Sequence, residues 1–253
     1  MRGLQHWRLL VPHAASSLRF PFTRAFAVVN PAMAPKLKLT YLDFKGFAEP
    51  IRLALFIGGF EFEDRRVTYG EIAELKEGGY LPFGSVPVLE VDGKVHSQTQ
   101  ALLRWAGRQA GLYPEDLQLQ CDAVEEALVD VKKVLVPQWY GAMLGRNPTT
   151  KEPCVLLSPE QRAEVEEALN EAILPVRFQQ LEQVLVASGG PFFCGDVLTI
   201  CDLSFYVCAS GILDGSYCGG IRPEVLAACP TLLELVKRVE EHPKVKEWNL
   251  KQE

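Results

Sequence analysis

The chain has 253 residues and a net charge of −6; 48% of its residues are hydrophobic and 23% are charged. This is the composition of a globular protein that is large enough for one large domain or two small ones. The acidic balance argues against nucleic acid as the main partner, and no uncharged apolar run is long enough to cross a bilayer, so we expect no membrane partner either.

The first 34 residues differ from the rest of the chain. Residues 1–42 carry six lysines and arginines and no acidic residue, and the apolar runs of the leader are short and broken by Arg and Pro, unlike a secretory signal. One interpretation is a transit peptide for a mitochondrion or plastid. The others are a disordered tail and an upstream start that precedes Met33. We therefore predict a separate leader over residues 1–34, and a cytoplasmic protein unless the leader directs import into an organelle.

Residues 36–111 predict strands that alternate with helices. The segment KLKLTYL alternates as a strand does, and AEPIRLALFIGG has helical spacing with glycines at its end. FEFEDRRVTY predicts a second strand, and EIAELKEGG predicts a short helix. Asp92-Gly93 predicts a hairpin turn between the last two strands, and QTQALLRWAGRQAG predicts a helix that ends at Gly111.

The resulting order is β-α-β-α-β-β-α, which is the order of the thioredoxin fold. Two strands joined by a helix should be parallel with a right-handed crossover, whereas the hairpin strands should be antiparallel. We predict a thioredoxin-like α/β domain over residues 35–112, followed by the linker YPEDL.

The remainder of the chain predicts an all-helical domain over residues 118–253. Ser158 in SPEQ is a predicted N-cap, and Thr199 is another, with Asp202 placed to return a hydrogen bond to the backbone of Thr199. The helix after Ser158, which Pro175 is predicted to bend, should bury one face formed by Val165, Leu169, Ile173, Val176 and Leu181.

The seven cysteines lie between Cys121 and Cys229 and show neither a C-x-x-C pair nor zinc-ligand spacing. Their odd number suits a reducing compartment. Most of them are predicted to be small buried hydrophobic residues, and the four scattered histidines make no metal site. We therefore predict no metal.

Tyr41 stands at the end of the first predicted strand, just before a loop that contains a glycine. At the carboxyl end of such a strand a phenol projects into the crevice where open α/β sheets bind ligands. A free thiol has a pKa of about 8.5, and a hydrogen bond from a phenol to the thiolate would lower that pKa. The structural alternative is a tyrosine that only caps the core.

Two further features could belong to the same site. Val86-Pro87 precedes the third strand, where a cis-proline would present the backbone of Val86 to an extended peptide; an ordinary trans proline is the alternative. Gln98 and Thr99 open the third helix, whose N-terminus favours a carboxylate, although Ser97 or Thr99 could simply be its N-cap. A thiol, a peptide and a carboxylate occur together in glutathione.

The segments LTYLDFKGFAEPIR, LPFGSVPVLEVDG, SQT and GDVLTICDLSFY resemble the soluble glutathione transferases, especially their sigma-like, tyrosine-type class. The resemblance covers about residues 36–250. It implies a thioredoxin-like domain that binds glutathione as co-substrate, an all-helical domain that supplies an electrophile pocket, and a homodimer. The implied activity is conjugation of the glutathione thiolate to soft electrophiles in detoxification and glutathione metabolism, with glutathione peroxidase activity as an addition.

The resemblance also implies roles for individual residues, with Tyr41 as the catalytic residue that stabilises the glutathione thiolate. The implied glutathione-binding residues are Tyr41, Lys76, Val86, Pro87, Gln98, Thr99 and Asp130. In this set, Lys76 would pair with the glycyl carboxylate. Asp130 would reach the glutathione of the partner subunit, unless it is only a solvated helix charge. The family usually has Ser at Thr99.

Three positions depart from the family pattern. Ile72 stands where a tryptophan is frequent, Ser85 where a basic residue is common, and Phe47 where many relatives carry arginine. These changes predict a weaker or rearranged glycyl end. The electrophile pocket should draw on an aromatic and methionine set, for which core packing is the alternative: Phe44, Phe47, Trp139, Tyr140, Met143 and Tyr206.

Two other functions fit the resemblance. One is a glutathione-dependent isomerase of the prostaglandin D synthase type, which shares the fold and the tyrosine. The other is a non-catalytic relative like the lens crystallins, which the retained set of ligand-binding residues argues against. A thiol-disulfide oxidoreductase is disfavoured because residues 1–120 contain no cysteine.

Overall fold

The structure, a computed structural model, describes residues 35–144, 157–216 and 219–252, and for residues 136–144 it describes the backbone alone. The leader predicted over residues 1–34 lies outside the described residues. A four-stranded sheet has the order β2-β1-β3-β4 and is built from β1 (Leu37–Leu42), β2 (Glu63–Val67), β3 (Val88–Val91) and β4 (Lys94–Ser97). β1 and β2 are parallel, and the other two pairs are antiparallel, as predicted.

Three helices follow the strands in the predicted places: α1 (Glu49–Ile57), α2 (Tyr69–Glu77) and α3 (Thr99–Gln109). The second half of the chain contributes helices throughout its described part: α4 (Gln118–Leu144), α5 (Pro159–Ala168), α6 (Leu174–Ala187), α7 (Ile200–Leu213), α8 (Pro230–Glu240) and α9 (Pro243–Leu250). The predicted fold class, a thioredoxin-like domain followed by an all-helical one, is confirmed. In the part of the chain that the structure describes, no helix is both long and apolar enough to span a membrane.

The second strand is shorter than the predicted segment FEFEDRRVTY. β2 is an edge strand that pairs only with β1, and its first residue Glu63 faces Lys38. Residues before Phe62 would therefore lie beyond Leu37, where β1 begins. The ladder stops there because β1 itself begins at Leu37.

Both predicted helix starts in the helical domain carry the expected hydrogen bonds. The Ser158 hydroxyl accepts the backbone N–H of Gln161, whose side chain accepts the Ser158 N–H in return. The backbone N–H of Thr199 donates to the Asp202 carboxylate at 2.8 Å. Each return bond satisfies a helix N–H that would otherwise lack a partner.

The predicted buried face of the helix after Ser158 is partly wrong. A π-helical turn, Leu169–Ile173, separates α5 from α6. The wider turn rotates the chain, so that Ile173 and Val176 are exposed although Leu169 and Leu181 are buried. The buried face of α6 is instead formed by Leu174, Phe178, Leu181 and Leu185.

Glu125 of α4 is a fully buried carboxyl group at the boundary between the two domains. Neither of its oxygens has a hydrogen-bond partner. Burial raises the pKa of Glu125, and four groups packed near it oppose that rise: Lys132, Ser204, Gln100 and Arg104. A charge at this position is therefore poorly compensated.

Candidate functional site

The end of strand β1 is the centre of the candidate site. Thr40 is the last residue of β1 that pairs with β3, where it faces Val88. Val88 in turn faces Ser97 of β4. These three residues form one row across the sheet, and Tyr41 lies one residue beyond it.

Pro87 and Gln98 lie on the same side of this row. Pro87 directly precedes Val88, and Gln98 directly follows Ser97; because β3 runs antiparallel to both of its neighbours, each lies at the same end of the sheet as Tyr41. Adjacent strands are about 4.8 Å apart, so the sheet brings the three predicted positions to one crevice.

The Tyr41 ring is held from three sides and is only 3% exposed. The Phe44 ring meets it edge-on with the centroids 5.4 Å apart, and the Arg52 guanidinium lies 5.8 Å from its centroid. The backbone N–H of Phe47 donates to the phenol oxygen at 3.2 Å. The loop after β1 therefore fixes both the ring and the hydroxyl.

Gly46 is required for this close approach of loop and phenol. Its φ is +43°, a region that side chains disfavour. A Cβ at this position would lie 2.7 Å from the Tyr41 hydroxyl and 2.5 Å from the Phe44 ring. Any larger residue would displace the phenol.

Arg52 ties the same loop to the rest of the fold. It is fully buried in α1; it donates to the Asp64 carboxylate at 2.9 Å, to the Glu49 carboxylate at 3.1 Å and to the Phe44 carbonyl at 3.0 Å. The indole N–H of Trp248 in α9 donates to Glu49 at 2.7 Å. A buried chain of hydrogen bonds thus joins the last helix to the Tyr41 loop.

The backbone at Val86 and Gln98 has two unusual features. The Val86-Pro87 peptide bond is cis, as predicted from the position of the proline. Gln98 has φ of +76° and is the residue before α3. A non-glycine residue with positive φ costs about 1–3 kcal/mol, and such residues cluster at ligand sites.

Thr99 is the first residue of α3 and is half-buried. The N–H of Leu102 donates to the Gln98 carbonyl, so the N–H groups of Thr99, Gln100 and Ala101 precede the first backbone bond of the helix. Such a helix end is suited to a carboxylate.

Lys76 lies near the loop that leads into Val86. It is exposed in the last turn of α2, and a Cβ at Gly84 would lie 3.5 Å from its Nζ atom. The ammonium group is therefore close to the loop that leads into the cis-proline. Of the three departures from the family pattern, Ile72 is half-buried in α2, Ser85 is exposed beside this loop, and Phe47 lines the cavity described below.

Asp130 lies on the exposed surface of α4 and pairs with Lys133 on the same helix at 2.8 Å. The hydrogen bond and charge of Lys133 lower the pKa of Asp130, so the carboxyl group is ionised at neutral pH. Within the single chain, its described partner is this lysine.

A cavity of about 760 Å³ opens beside the Tyr41 phenol, between the β1 loop and the helical domain. Its principal walls are formed by Tyr41, Phe44, Phe47, Val67, Leu135 and Val207. Gly46, Tyr69, Asp214 and Ser216 also line it. Burial raises the pKa of Tyr69, so this second phenol stays protonated at neutral pH.

The predicted electrophile residues divide into three groups. Phe44 and Phe47 line the cavity. Tyr206 is not among its described lining residues; it is buried in α7, where its hydroxyl accepts a hydrogen bond from Asn249 at 3.0 Å. The side chains of Trp139, Tyr140 and Met143 lie outside the described residues.

The sequence alone does not indicate several residues that contribute to this region. Leu135, Val207 and Gly211 line the cavity but look like ordinary core positions of helices. Arg52 was not distinguished from a surface charge. The signal that could have found it is the spacing of Glu49 and Arg52 on one helix face, which is typical of an ion pair.

The sequence was compared with models of protein families and with known proteins. Residues 152–252 match the family described as "Glutathione S-transferase, C-terminal domain". "Glutathione S-transferase 1" of Ascaris suum is 31% identical over 217 residues, which are 85% of this chain and 95% of the relative. "Hematopoietic prostaglandin D synthase" of Homo sapiens is 27% identical over 218 residues, again 85% and 95% of the two chains.

Solved structures give the same result for the fold. One similar structure is described as monomeric Na-GST-3, a glutathione S-transferase of the hookworm Necator americanus. It superposes with a TM-score of 0.70 at 27% identity and covers 86% of this chain and 98% of its own.

Proposed function

This chain belongs to the glutathione S-transferase family, and we propose that Tyr41 activates the glutathione thiol for attack on electrophiles bound in the adjoining cavity. The observation that carries this assignment is the Tyr41 phenol, which is fixed at the carboxyl end of β1 and forms part of the cavity wall. The thiol proton would leave to solvent, and the thiolate sulfur would form a bond to the electrophilic carbon as a leaving group such as halide departs with its electron pair. A phenol that donates to the thiolate lowers the pKa of the thiol, so more of the nucleophile is present at neutral pH.

The peptide part of glutathione is assigned to the end of the sheet at which Tyr41, Val86 and Gln98 lie. The backbone of Val86, before the cis-proline Pro87, would pair with the cysteinyl unit as an added strand does. Gln98 and Thr99 at the N-terminus of α3 would bind the γ-glutamyl end. The order of the strands supports this arrangement, because β3, which follows Val86, lies next to β4, which leads to Gln98.

The glycyl end is assigned to Lys76. Its Nζ atom lies beside Gly84, close to the loop that leads to Val86, and a cation there attracts the glycyl carboxylate. The interaction is exposed to solvent and should contribute less than about 1 kcal/mol. We therefore expect glutathione affinity to depend more on Thr99 than on Lys76.

The electrophile is assigned to the cavity walls formed by Phe44, Phe47 and Val207, which suit apolar, soft electrophiles. Trp139 and Met143 follow the lining residue Leu135 in sequence at i+4 and i+8, so helical spacing supports them as further wall residues. Tyr206 is omitted, because its hydroxyl is engaged by Asn249.

We propose further that the protein is a sigma-like homodimer, in which Asp130 reaches the glutathione of the partner subunit. The exposed position of Asp130 on α4 supports this role. Light scattering on the purified chain tests the dimer. Asp130→Asn should raise the KM for glutathione if the role is correct, whereas Asp116→Asn, an exposed acid outside α4, should not.

The experiment that tests the main proposal measures glutathione binding to the full chain by calorimetry and thiol ionisation by ultraviolet absorbance across pH. We expect binding with a thiol pKa below that of free glutathione. Thr99→Ser should retain binding, and Thr99→Val should lose about tenfold in affinity because the hydroxyl is absent. No binding by the wild-type chain would refute the proposal.

Product analysis separates the two reactions that the relatives carry out. Conjugation to an activated aryl halide consumes glutathione, releases the halide ion, and gives a thioether whose mass is that of the two reactants less the hydrogen halide. An isomerase would return glutathione unchanged. We expect the thioether.

A localisation experiment with residues 1–34 fused to a fluorescent protein tests whether the protein stays in the cytoplasm, as we propose, or enters an organelle.

A further inference from the structure

Three cysteines from separate segments converge inside the helical domain. Cys121 lies in α4, Cys194 in the loop between α6 and α7, and Cys201 in the first turn of α7. All three are buried, and their Sγ atoms lie within 4.8 Å of one another. Among the residues that the structure describes, no other His, Cys, Asp and Glu side chains form a comparable group of three or more.

The backbone around these sulfurs is fixed by hydrogen bonds that do not involve them. The Gln120 side chain donates to the Phe193 carbonyl at 2.6 Å, and the Phe193 N–H donates to the Asp202 carboxylate at 2.9 Å. The loop residue before Cys194 is thus tied to α4 on one side and to α7 on the other. The three thiols are held together by the fold before any ligand is present.

The sulfur positions are close to those of a metal site. With metal–sulfur bonds of about 2.3 Å, sulfurs in one coordination shell are roughly 4 Å apart. Sulfurs within 4.8 Å of one another therefore need shifts of less than about 1 Å to reach a shared ion. Rotation about the cysteine χ1 angle can supply this movement.

We propose that Cys121, Cys194 and Cys201 form a buried site for one Cu(I) ion. Soft thiolate ligands select Cu(I) and zinc among the common metals. Zinc sites are almost always four-coordinate, and no described His, Asp or Glu side chain joins the three sulfurs. Cu(I) accepts three sulfurs in a plane. Each thiol that binds releases its proton to solvent, and the ion stays Cu(I), so no electron is transferred.

An access path to the site runs through the loop of Cys194. This cysteine is 6% exposed, whereas Cys121 and Cys201 are fully buried. The residues that follow it, Gly195 to Val197, are half-buried or exposed. The ion would therefore reach Cys194 first. The alternative is that the three cysteines only fill space as small apolar residues.

The test is Cu(I) titration of the full chain under anaerobic conditions, in competition with the chromogenic chelator bicinchoninate and without glutathione. The parent protein carries Cys154→Ser and Cys218→Ser, which removes the two cysteines that lie outside the described residues. We expect one Cu(I) per chain. Cys194→Ser should weaken binding at least tenfold, and Cys208→Ser, a buried cysteine of α7 outside the cluster, should leave it unchanged within a factor of two.

Two further measurements keep the proposal testable if Cys194→Ser fails to fold. X-ray absorption on the Cu(I)-loaded parent protein should give three sulfur neighbours at about 2.3 Å. Cu(I) in excess should raise the melting temperature by about 5 °C or more, because the three sulfurs gathered by the fold bind it more tightly than the thiols of the unfolded chain do. Absence of binding, unchanged affinity in folded Cys194→Ser, or fewer than three sulfur neighbours would overturn it. The proposal does not rest on the transferase activity.

Discussion

Replacement of Tyr41 by phenylalanine removes one oxygen atom from the candidate site and tests the central assignment. The ring is almost fully buried, and its edge-on contact with Phe44 and the nearby guanidinium of Arg52 do not need the hydroxyl. The phenylalanine ring should therefore keep its place. The bound thiolate would lose a hydrogen-bond donor, and the Phe47 N–H would lose its acceptor.

The expected effect follows from the strength of one hydrogen bond to a charged group. Such a bond contributes about 1.5–3 kcal/mol, and one pKa unit corresponds to about 1.4 kcal/mol. The pKa of the bound thiol should therefore rise by about 1–2 units. At a pH below that pKa, kcat/KM should fall by about tenfold to a hundredfold, since it follows the thiolate fraction.

The assay follows thiol ionisation of bound glutathione by ultraviolet absorbance across pH, together with kcat/KM for an activated aryl halide. Tyr80→Phe is the matched control, because the Tyr80 hydroxyl donates to Glu90 at 3.1 Å and does not line the cavity. It should leave the thiol pKa unchanged. A Tyr41→Phe protein that binds glutathione with the wild-type thiol pKa would refute the reasoning.

Three other substitutions test how the loop and the domain boundary are built. Gly46→Ala should lower kcat/KM at least tenfold, because its methyl group would collide with the Tyr41 hydroxyl; kinetics and circular dichroism check this. Arg52→Leu should cost about 3–5 kcal/mol in urea unfolding, because it leaves the buried Glu49 carboxylate without a cation. Glu125→Gln should raise stability at neutral pH by about 1 kcal/mol or more, because it removes a buried carboxyl group whose ionised form is disfavoured by burial. The raised pKa of Glu125 means that the folded state holds this proton more tightly than the unfolded state, so wild-type stability falls as pH rises above the pKa of the unfolded chain. Urea unfolding across pH should show a flatter profile for the variant.

Each of these three substitutions has a control at another residue of the same type. Gly59 has a φ of +74° and open space around the position of a Cβ atom, so Gly59→Ala should cost backbone strain but leave activity unchanged. Arg66→Leu removes an exposed cation and should cost less than about 1 kcal/mol. Glu126→Gln changes an exposed carboxyl group and should not alter the pH profile. If a variant and its control behave alike, the assigned cause is wrong.

The elements of the first domain could be predicted because their signals are local. Asp92-Gly93 specifies its hairpin through turn geometry, and strand alternation specifies β1. Thr199 and Asp202 lie three residues apart, so their hydrogen bond is visible in the sequence. The π-helical turn was missed because apolar spacing assumes a constant helical period. A single wider turn moved Ile173 and Val176 to the surface.

The candidate functional residues likewise include some that the sequence predicts and some that it does not. Tyr41, Pro87 and Gln98 were predicted, because Tyr41 stands near the end of a predicted strand and the other two directly flank one. The cysteine cluster was missed, because spacing rules detect ligands that share a segment, whereas these three cysteines come from three segments. Glu125 was missed for a related reason. Its burial depends on helices from both domains, and no pattern within α4 marks it as buried.

A series of hydrogen bonds from Trp248 to Phe44 shows why the thioredoxin-like domain and the helical domain must act as one unit. The Trp248 indole donates to Glu49, Glu49 accepts from Arg52, and Arg52 donates to the carbonyl of Phe44. Phe44 then contacts the Tyr41 ring and lines the cavity. Every link is a hydrogen bond or ring contact among largely buried groups, where water does not replace a lost partner. The position of the Tyr41 phenol therefore depends on the docking of the last helix, so the thioredoxin-like domain does not complete its own site.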